Sequence, residues 1–302
     1  MTLAEKHKIK AEEKKLEKEE ARAAFRLNQI KPTTNACFNI LFVLLSFVCR
    51  FPVFYVFMIS VSSTDSITKY GYRLFPDTYS TAAYTFLWNE RGTIFNSLII
   101  SVVVTVMGTV LGVLLTTMIG FELSRPNYKL KGFFTWMVFI PMIFNGGMVA
   151  NYVVVANMLH LNNTIWCLIL PLAMSSFNVI ICKTFFRTTV PDSIIESAKI
   201  DGCGNLRFIF RILLPLTKSA IGAMAVYTFI NAWNMYMWPL LVTGSNEMRT
   251  VQIGISMLNS VDAQSITLMI AGVVMIILPS ISIFILGQKQ LIRGMFSGAV
   301  KG

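Results

Sequence analysis

The densest run of chemically capable side chains in the sequence lies between Asn231 and Trp238, where Asn231, Trp233, Asn234, Tyr236 and Trp238 stand within two helical turns. Amides match hydroxyl groups and flat aromatic rings cover apolar C–H faces, which is the pairing a polyhydroxylated ring requires. Asn145, Asn151, Tyr152 and Asn178 are the further candidates for such a path. The same residue types also hold membrane helices together and sit at membrane interfaces, so packing competes with recognition at every one of these positions. Covalent chemistry has much less to work with. Paired acids, an activated serine or cysteine set and metal-ligand spacing are all missing from the apolar zone, and His7 and His160 are the sole histidines. Cys37, Cys49, Cys167, Cys182 and Cys203 are scattered with no C-x-x-C pair. Catalytic and metal roles are therefore expected to be absent, and no G-x-x-x-x-G-K-[ST] loop is present to cradle ATP.

The elements that must position these residues are membrane spans. The 302 residues are 55% hydrophobic and only 14% charged, with a mean hydropathy of +0.63, whereas a soluble domain carries about 25% charged residues. Six apolar stretches, at 37–61, 94–118, 133–153, 165–186, 220–243 and 268–287, each approach the roughly 20 residues that a helix needs to cross a bilayer core. Backbone groups in lipid must be satisfied internally, so all six are expected to be helices. The net charge of +11 could suggest nucleic acid, but the basic residues fall between the apolar runs and read as topology signals. Lysine and arginine concentrate in residues 1–35, in 119–132 (Arg125, Lys129, Lys131), in 187–219 and after 287. These segments, both termini included, are expected in the cytosol. No cleavable signal peptide is expected, because residues 1–35 are dense in charge. Arg50, beside Pro52 in the first span, is expected to cap carbonyls freed by the proline or to meet another subunit, with the solute path as the remaining role. Gly108, Gly112, Gly120, Gly146 and Gly147 are expected to permit close helix contact.

One cytosolic segment, 187–219, is long and carries two punctuation points. Pro191 can open a short helix from Asp192 to Ile200, Gly202 can end it in a left-handed conformation, and a second helix can run from near Asn205 to Pro215. Ile194, Ile195, Ala198 and Ile200 would give the first helix a small apolar face. An interfacial helix pair lying at the lipid headgroups would read the same way.

Glu196-Ser197-Ala198, Asp201-Gly202 and Ile212-Leu213-Leu214-Pro215 resemble the E-A-A-x-x-x-G-x(9)-I-x-L-P coupling loop of binding-protein-dependent ABC importers. Ser197 replaces the usual second alanine, and the proline that often follows L-P is absent. Asn231 through Leu240 is similar to the W-N-x-x-x-W-P-L segment of sugar-importer permeases, and Arg249 through Gly254 to the external loop after it. Gly287-Gln288, Arg293-Gly294 and Gly298 through Gly302 resemble the tail of the maltose-permease-like branch. Phe144 through Gly147 and Leu161 through Trp166 resemble the Gram-positive branch that imports oligosaccharides and complex glycans.

The resemblance implies an all-α integral membrane protein with the type I ABC importer permease fold: a charged tail over 1–35, a first span and external loop over 36–93, the permease domain over 94–287 and a cytosolic tail over 288–302. It implies that Glu196, Ser197, Ala198, Asp201, Gly202, Leu214 and Pro215 serve ATPase coupling in a bacterial plasma membrane. The implied partners are a second homologous permease, two cytosolic ATPase subunits that use ATP and Mg, an extracellular solute-binding protein and lipid, with no nucleic acid. An ion-coupled secondary transporter is the alternative, but such proteins carry acids or histidines within spans. Here the six stretches hold no acid, and Glu122 falls just beyond the second.

Overall fold

Apolar runs leave water only if their N–H and C=O groups find partners within the chain, and these runs do so as helices. The computed structural model describes residues 31–261 and 266–299; among them regular structure is helical, apart from an isolated antiparallel bridge between Ser62 and Tyr79. The chain divides into two units, 1–56 and 57–302.

Helix α1 (Pro32–Ser60) supplies the described part of the first unit; it continues through Pro52 and exposes apolar side chains over most of its length. Arg50 is exposed on it and makes no hydrogen bond or ion pair among the described residues, so capping of carbonyls near Pro52 is not what it does here.

In the second unit, α2 (Thr64–Tyr70) and α3 (Ala82–Asn89) precede the long α4 (Arg91–Ser124). Next come α5 (Lys131–Ile143) and α6 (Gly147–Tyr152), the latter winding on as a π-helix over Val153–Met158. Helix α7 (Ile165–Ile169) leads through a 3₁₀ turn, Leu170–Leu172, to α8 (Ser176–Thr189). Helix α9 (Asp192–Ile200) and α10 (Asn205–Phe208) follow, and α10 continues through π-helical Ile209–Leu213 to a last turn at Leu214–Leu216. The remaining helices are α11 (Lys218–Trp233), α12 (Met237–Val242), α13 (Val251–Val261) and α14 (Ile266–Ala299).

Four of the six expected spans appear as helical stretches long and apolar enough to cross a bilayer: Pro32–Ser60, Arg91–Ser124, Ile165–Thr189 and Ile266–Lys289. The third and fifth depart from expectation, because each is interrupted. Pro141 withdraws a backbone donor near the end of α5, and the chain restarts at Gly147 with a φ of 75°, its N–H donating to Asn145 Oδ1 at 2.9 Å. In the fifth, α11 stops at Trp233 and α12 starts at Met237, with Pro239 in its first turn, where a missing N–H costs little. Helix α12 packs against α6, so the restarted halves of both segments are neighbours. Two boundaries also move: α4 runs on to Ser124, which puts Glu122 in its last turn, and α14 continues helically through most of the expected tail.

Helix α4 is the hub, packing against α8, α11 and α13, while α11 packs along α14. Small residues make this possible, as lipid-immersed helices require. A Cβ at Gly112 would stand 2.7 Å from the Leu172 carbonyl oxygen, and one at Gly120 would stand 2.7 Å from Cys182 Cβ. Gly108 likewise faces Leu172, whereas Gly146 faces only Ala150 of its own segment and Gly147 faces open space. Those last two serve the break between α5 and α6, not the helix contact expected of them.

Candidate functional site

Helix α9 is set by its ends. Pro191 occupies the N-cap with extended backbone (φ −63°, ψ 147°), and Asp192 places a carboxylate in the first turn, where it favours the helix dipole. At the other end Gly202 adopts φ 70°. The Cys203 N–H donates to Ala198 O at 2.9 Å and the Gly202 N–H to Lys199 O at 3.0 Å, the paired bonds of a Schellman motif. The expected Pro191 start and Gly202 stop are both present.

The inner face of α9 differs from the expectation in one respect. Ala198 is buried in a cluster with Phe121, Phe186, Val190, Phe208 and Leu213, and Ile194 and Ile195 pack against it. Ala198 lies on the apolar face as expected, and its small side chain lets α9 sit on α4, α8 and α10. Ser197 is exposed and donates to the Ser193 carbonyl at 2.8 Å, and Glu196 and Asp201 are exposed beside it. Ile200 is 85% exposed, off the apolar face to which it was assigned. Leu206 and Phe210 are exposed apolar neighbours in the following helix.

That second helix passes through Pro215, its expected end, to Leu216, and then the chain turns by 90° into α11. Thr217 sits fully buried at the corner and its hydroxyl donates to Leu213 O at 2.6 Å. Leu214 packs against the cluster, whereas Pro215 is exposed.

Arg125 fastens the assembly, although the sequence marked it only as a topology charge. Its guanidinium donates to Val190 O at 3.2 Å, to Phe186 O at 3.0 Å and to Asp192 Oδ1 at 2.9 Å, and it stacks 5.0 Å from the Phe121 ring centroid. The side chain is 14% exposed. A planar fork of donors that reaches two carbonyls at the end of α8, that of Phe186 shared with the Val190 N–H, and a carboxylate at the start of α9 locks the corner between them. The signal it lacked in sequence is simple: two of its partners are backbone carbonyls.

The expected path residues separate into two groups. Trp233 is 2% exposed, stacks on Phe229, and donates its ring N–H to Ile276 O at 3.1 Å. Trp238 is buried and donates to Cys167 O at 2.9 Å, and buried Asn178 donates to Thr228 Oγ1 at 3.4 Å. These three bind helix to helix in this conformation, because each polar tip finds an acceptor across a helix contact. Asn145, Asn231 and Asn234 are exposed, with Asn234 Nδ2 donating to Ile230 O at 2.9 Å. Tyr236 pairs with Ser256 at 3.3 Å, and Tyr152 packs beside Trp238 in one apolar cluster.

The segment from Arg249 to Gly254 is tied to α4, its Val251 N–H donating to Ser101 Oγ at 2.8 Å. Asn163, held at φ 56°, accepts the N–H groups of Gly244 and Ser245, each at 3.0 Å, and so ties the start of α7 to the loop after α12.

Residues 108–291 match a family described as the binding-protein-dependent transport system inner membrane component. The chain is 33% identical over 267 residues to the arabinooligosaccharides transport system permease protein AraQ of Bacillus subtilis (strain 168), covering 87% of this chain and 95% of that protein. It is 30% identical over 275 residues to the polygalacturonan/rhamnogalacturonan transport system permease protein YtcP of the same organism, covering 86% and 95%. A chain of a bacterial ABC transporter involved in the import of the acidic polysaccharide alginate superposes with a TM-score of 0.74 at 22% identity, over 87% of this chain and 99% of that one.

Proposed function

Because this chain belongs to the binding-protein-dependent transport system inner membrane components, we propose that it is the permease that passes a sugar or oligosaccharide across the membrane and that α9 is the lever through which separate ATPase subunits drive it. Membership makes the chain a multi-pass transport component. The cargo class is carried over from relatives named for arabinooligosaccharides and for polygalacturonan or rhamnogalacturonan. The remaining partners in this reading are a second permease and an external solute-binding protein, with both termini and α9 in the cytosol.

The observation that carries the reading is the outward display of Glu196, Ser197 and Ile200 on a short helix whose inner face, ends and corner are all fixed. Such a helix transmits a push because it has no freedom to absorb it. The solute path in this reading runs past the interruptions of the third and fifth segments, where Asn145, Asn231, Asn234 and Tyr236 stand. Irregular backbone at membrane depth is tolerated where protein covers it or water lines it.

The test is Glu196→Lys in a complex reconstituted with the ATPase and the second permease. The expected result is normal insertion with ATP hydrolysis no longer linked to sugar uptake. Uptake and sugar-stimulated hydrolysis at wild-type levels would refute docking through α9.

A further inference from the structure

A second feature lies on the opposite side of the Arg125 clamp. A cavity of about 300 Å³ opens between the start of α5 and the end of α8, lined by Lys131, Arg187 and Arg125 together with a single carboxylate, Asp192. Asp192 is already bonded to Arg125. Lys131 and Arg187 are without an ion pair among the described residues. One turn deeper on each helix, Lys183 of α8 reaches Thr135 of α5, Nζ to Oγ1 at 3.3 Å. Two helices therefore face each other with three cations and one hydroxyl between them. The first turn of α5 adds the partial positive charge of a helix N-terminus.

Like charges gathered at the edge of a low-dielectric slab repel one another unless an anion enters. Beyond the cations, α5 carries the exposed apolar residues Phe133, Trp136, Met137 and Ile140, and α8 carries Ile181. The cations face one another between the helices while the opposite faces of α5 and α8 are apolar and exposed, so a phosphate headgroup entering between the helices leaves its acyl chains against those outer faces.

We propose that Lys131, Lys183 and Arg187 form a binding site for the phosphate of an anionic phospholipid, on the membrane edge beside the coupling corner. Its assignment to the cytosolic leaflet rests on the orientation proposed above; the site itself does not. An occupied site would brace the end of α8 against α5, and hence the surface on which α9 sits.

The test uses the full complex in mild detergent and reads binding of short-chain phosphatidylglycerol by native mass spectrometry, a measurement independent of transport or sidedness. Each surface cation contributes about fivefold in affinity, so Lys183→Gln alone should weaken binding about fivefold and Lys131→Gln/Lys183→Gln/Arg187→Gln about a hundredfold. The charge-preserving set Lys131→Arg/Lys183→Arg/Arg187→Lys should retain most of it. Lys129→Gln removes an exposed charge of the same loop that lies outside the cavity and should change nothing. Wild-type binding by the triple Gln variant would overturn the site, as would an equal loss from Lys129→Gln, which would mean bulk charge. Displacement of the lipid by equimolar inorganic phosphate would show a free-anion site and overturn the lipid assignment. Should the Glu196→Lys test fail while these results hold, the lipid site stands apart from the coupling reading.

Discussion

Helix α9 turns Glu196, Ser197 and Ile200 outward, whereas the segment from Trp233 to Trp238 turns its two indoles inward onto Ile276 O and Cys167 O. Both stretches are rich in motif residues, yet the fold uses them oppositely. A short surface helix needs only part of its circumference for support, so Ala198, Ile194 and Ile195 suffice and the rest stays exposed. A span packed by α13 and α14 needs large rings to fill its contacts and must satisfy every polar tip internally. A motif on the first kind of element thus displays side chains outward, and on the second kind it first describes packing.

The sharpest way to break this contrast is at Trp233. Its replacement by alanine empties a buried site and removes the bond to Ile276 O, so Trp233→Ala should cost about 3–5 kcal/mol and show as a lower Tm of the purified complex. Trp233→Phe keeps most of the volume and loses the N–H, for about 1–2 kcal/mol. A Trp233→Ala complex of normal Tm and altered sugar uptake would return the ring to the solute path. Next in size is Arg125→Ala, which removes donors to two carbonyls and to Asp192; because Asp192 is largely exposed, about 2–4 kcal/mol is expected rather than the sum of three charged bonds. Arg125→Lys should recover only part of it, since one ammonium cannot reproduce the fork. Protease sensitivity at 190–193 would read the loosened corner directly, and an unaltered cleavage rate would mean that Arg125 is not the clamp.

Much of this architecture is legible in the residues themselves, and the reasons are local. The apolar length of 94–118 or 268–287 is enough to identify a span. Pro191 and Gly202 act through their own backbone angles, so the ends of α9 can be read without knowing what surrounds them. The breaks at Phe144–Gly146 and Asn234–Tyr236 are harder, because Pro141 and Pro239 sit in runs whose average apolarity still suits a continuous span. Arg125 and Lys183 are illegible for a further reason. Their partners are carbonyls, a distant carboxylate and a hydroxyl brought near by helix packing, and no spacing rule connects Arg125 to Phe186 O or to Asp192.

Gly202→Ala is the next smaller effect. A Cβ there meets nothing within 4 Å, so the whole cost is the left-handed backbone at φ 70°, about 1–2 kcal/mol. Gly202→Asn should lose less, because asparagine tolerates that region. Equal losses for the two would imply that space, not conformation, selects glycine.

Ile200→Ser should have the smallest effect on the chain and for that reason separates the two regions most cleanly. With 85% of the residue exposed, the substitution removes almost no packing, and a surface change of this kind stays within about 0.5 kcal/mol. Loss at a partner is a different matter, since an exposed isoleucine that enters an ATPase groove would give up its burial there, about 1.5–3 kcal/mol. Unchanged Tm of the isolated permease with about tenfold to a hundredfold weaker retention of the ATPase during purification is the expected pair of results. Retention equal to wild type would remove Ile200 from the docking surface and leave Glu196 and Ser197 as its candidates, whereas a fall in Tm would mean that α9 has a further intramolecular contact and is not displayed as the structure has it.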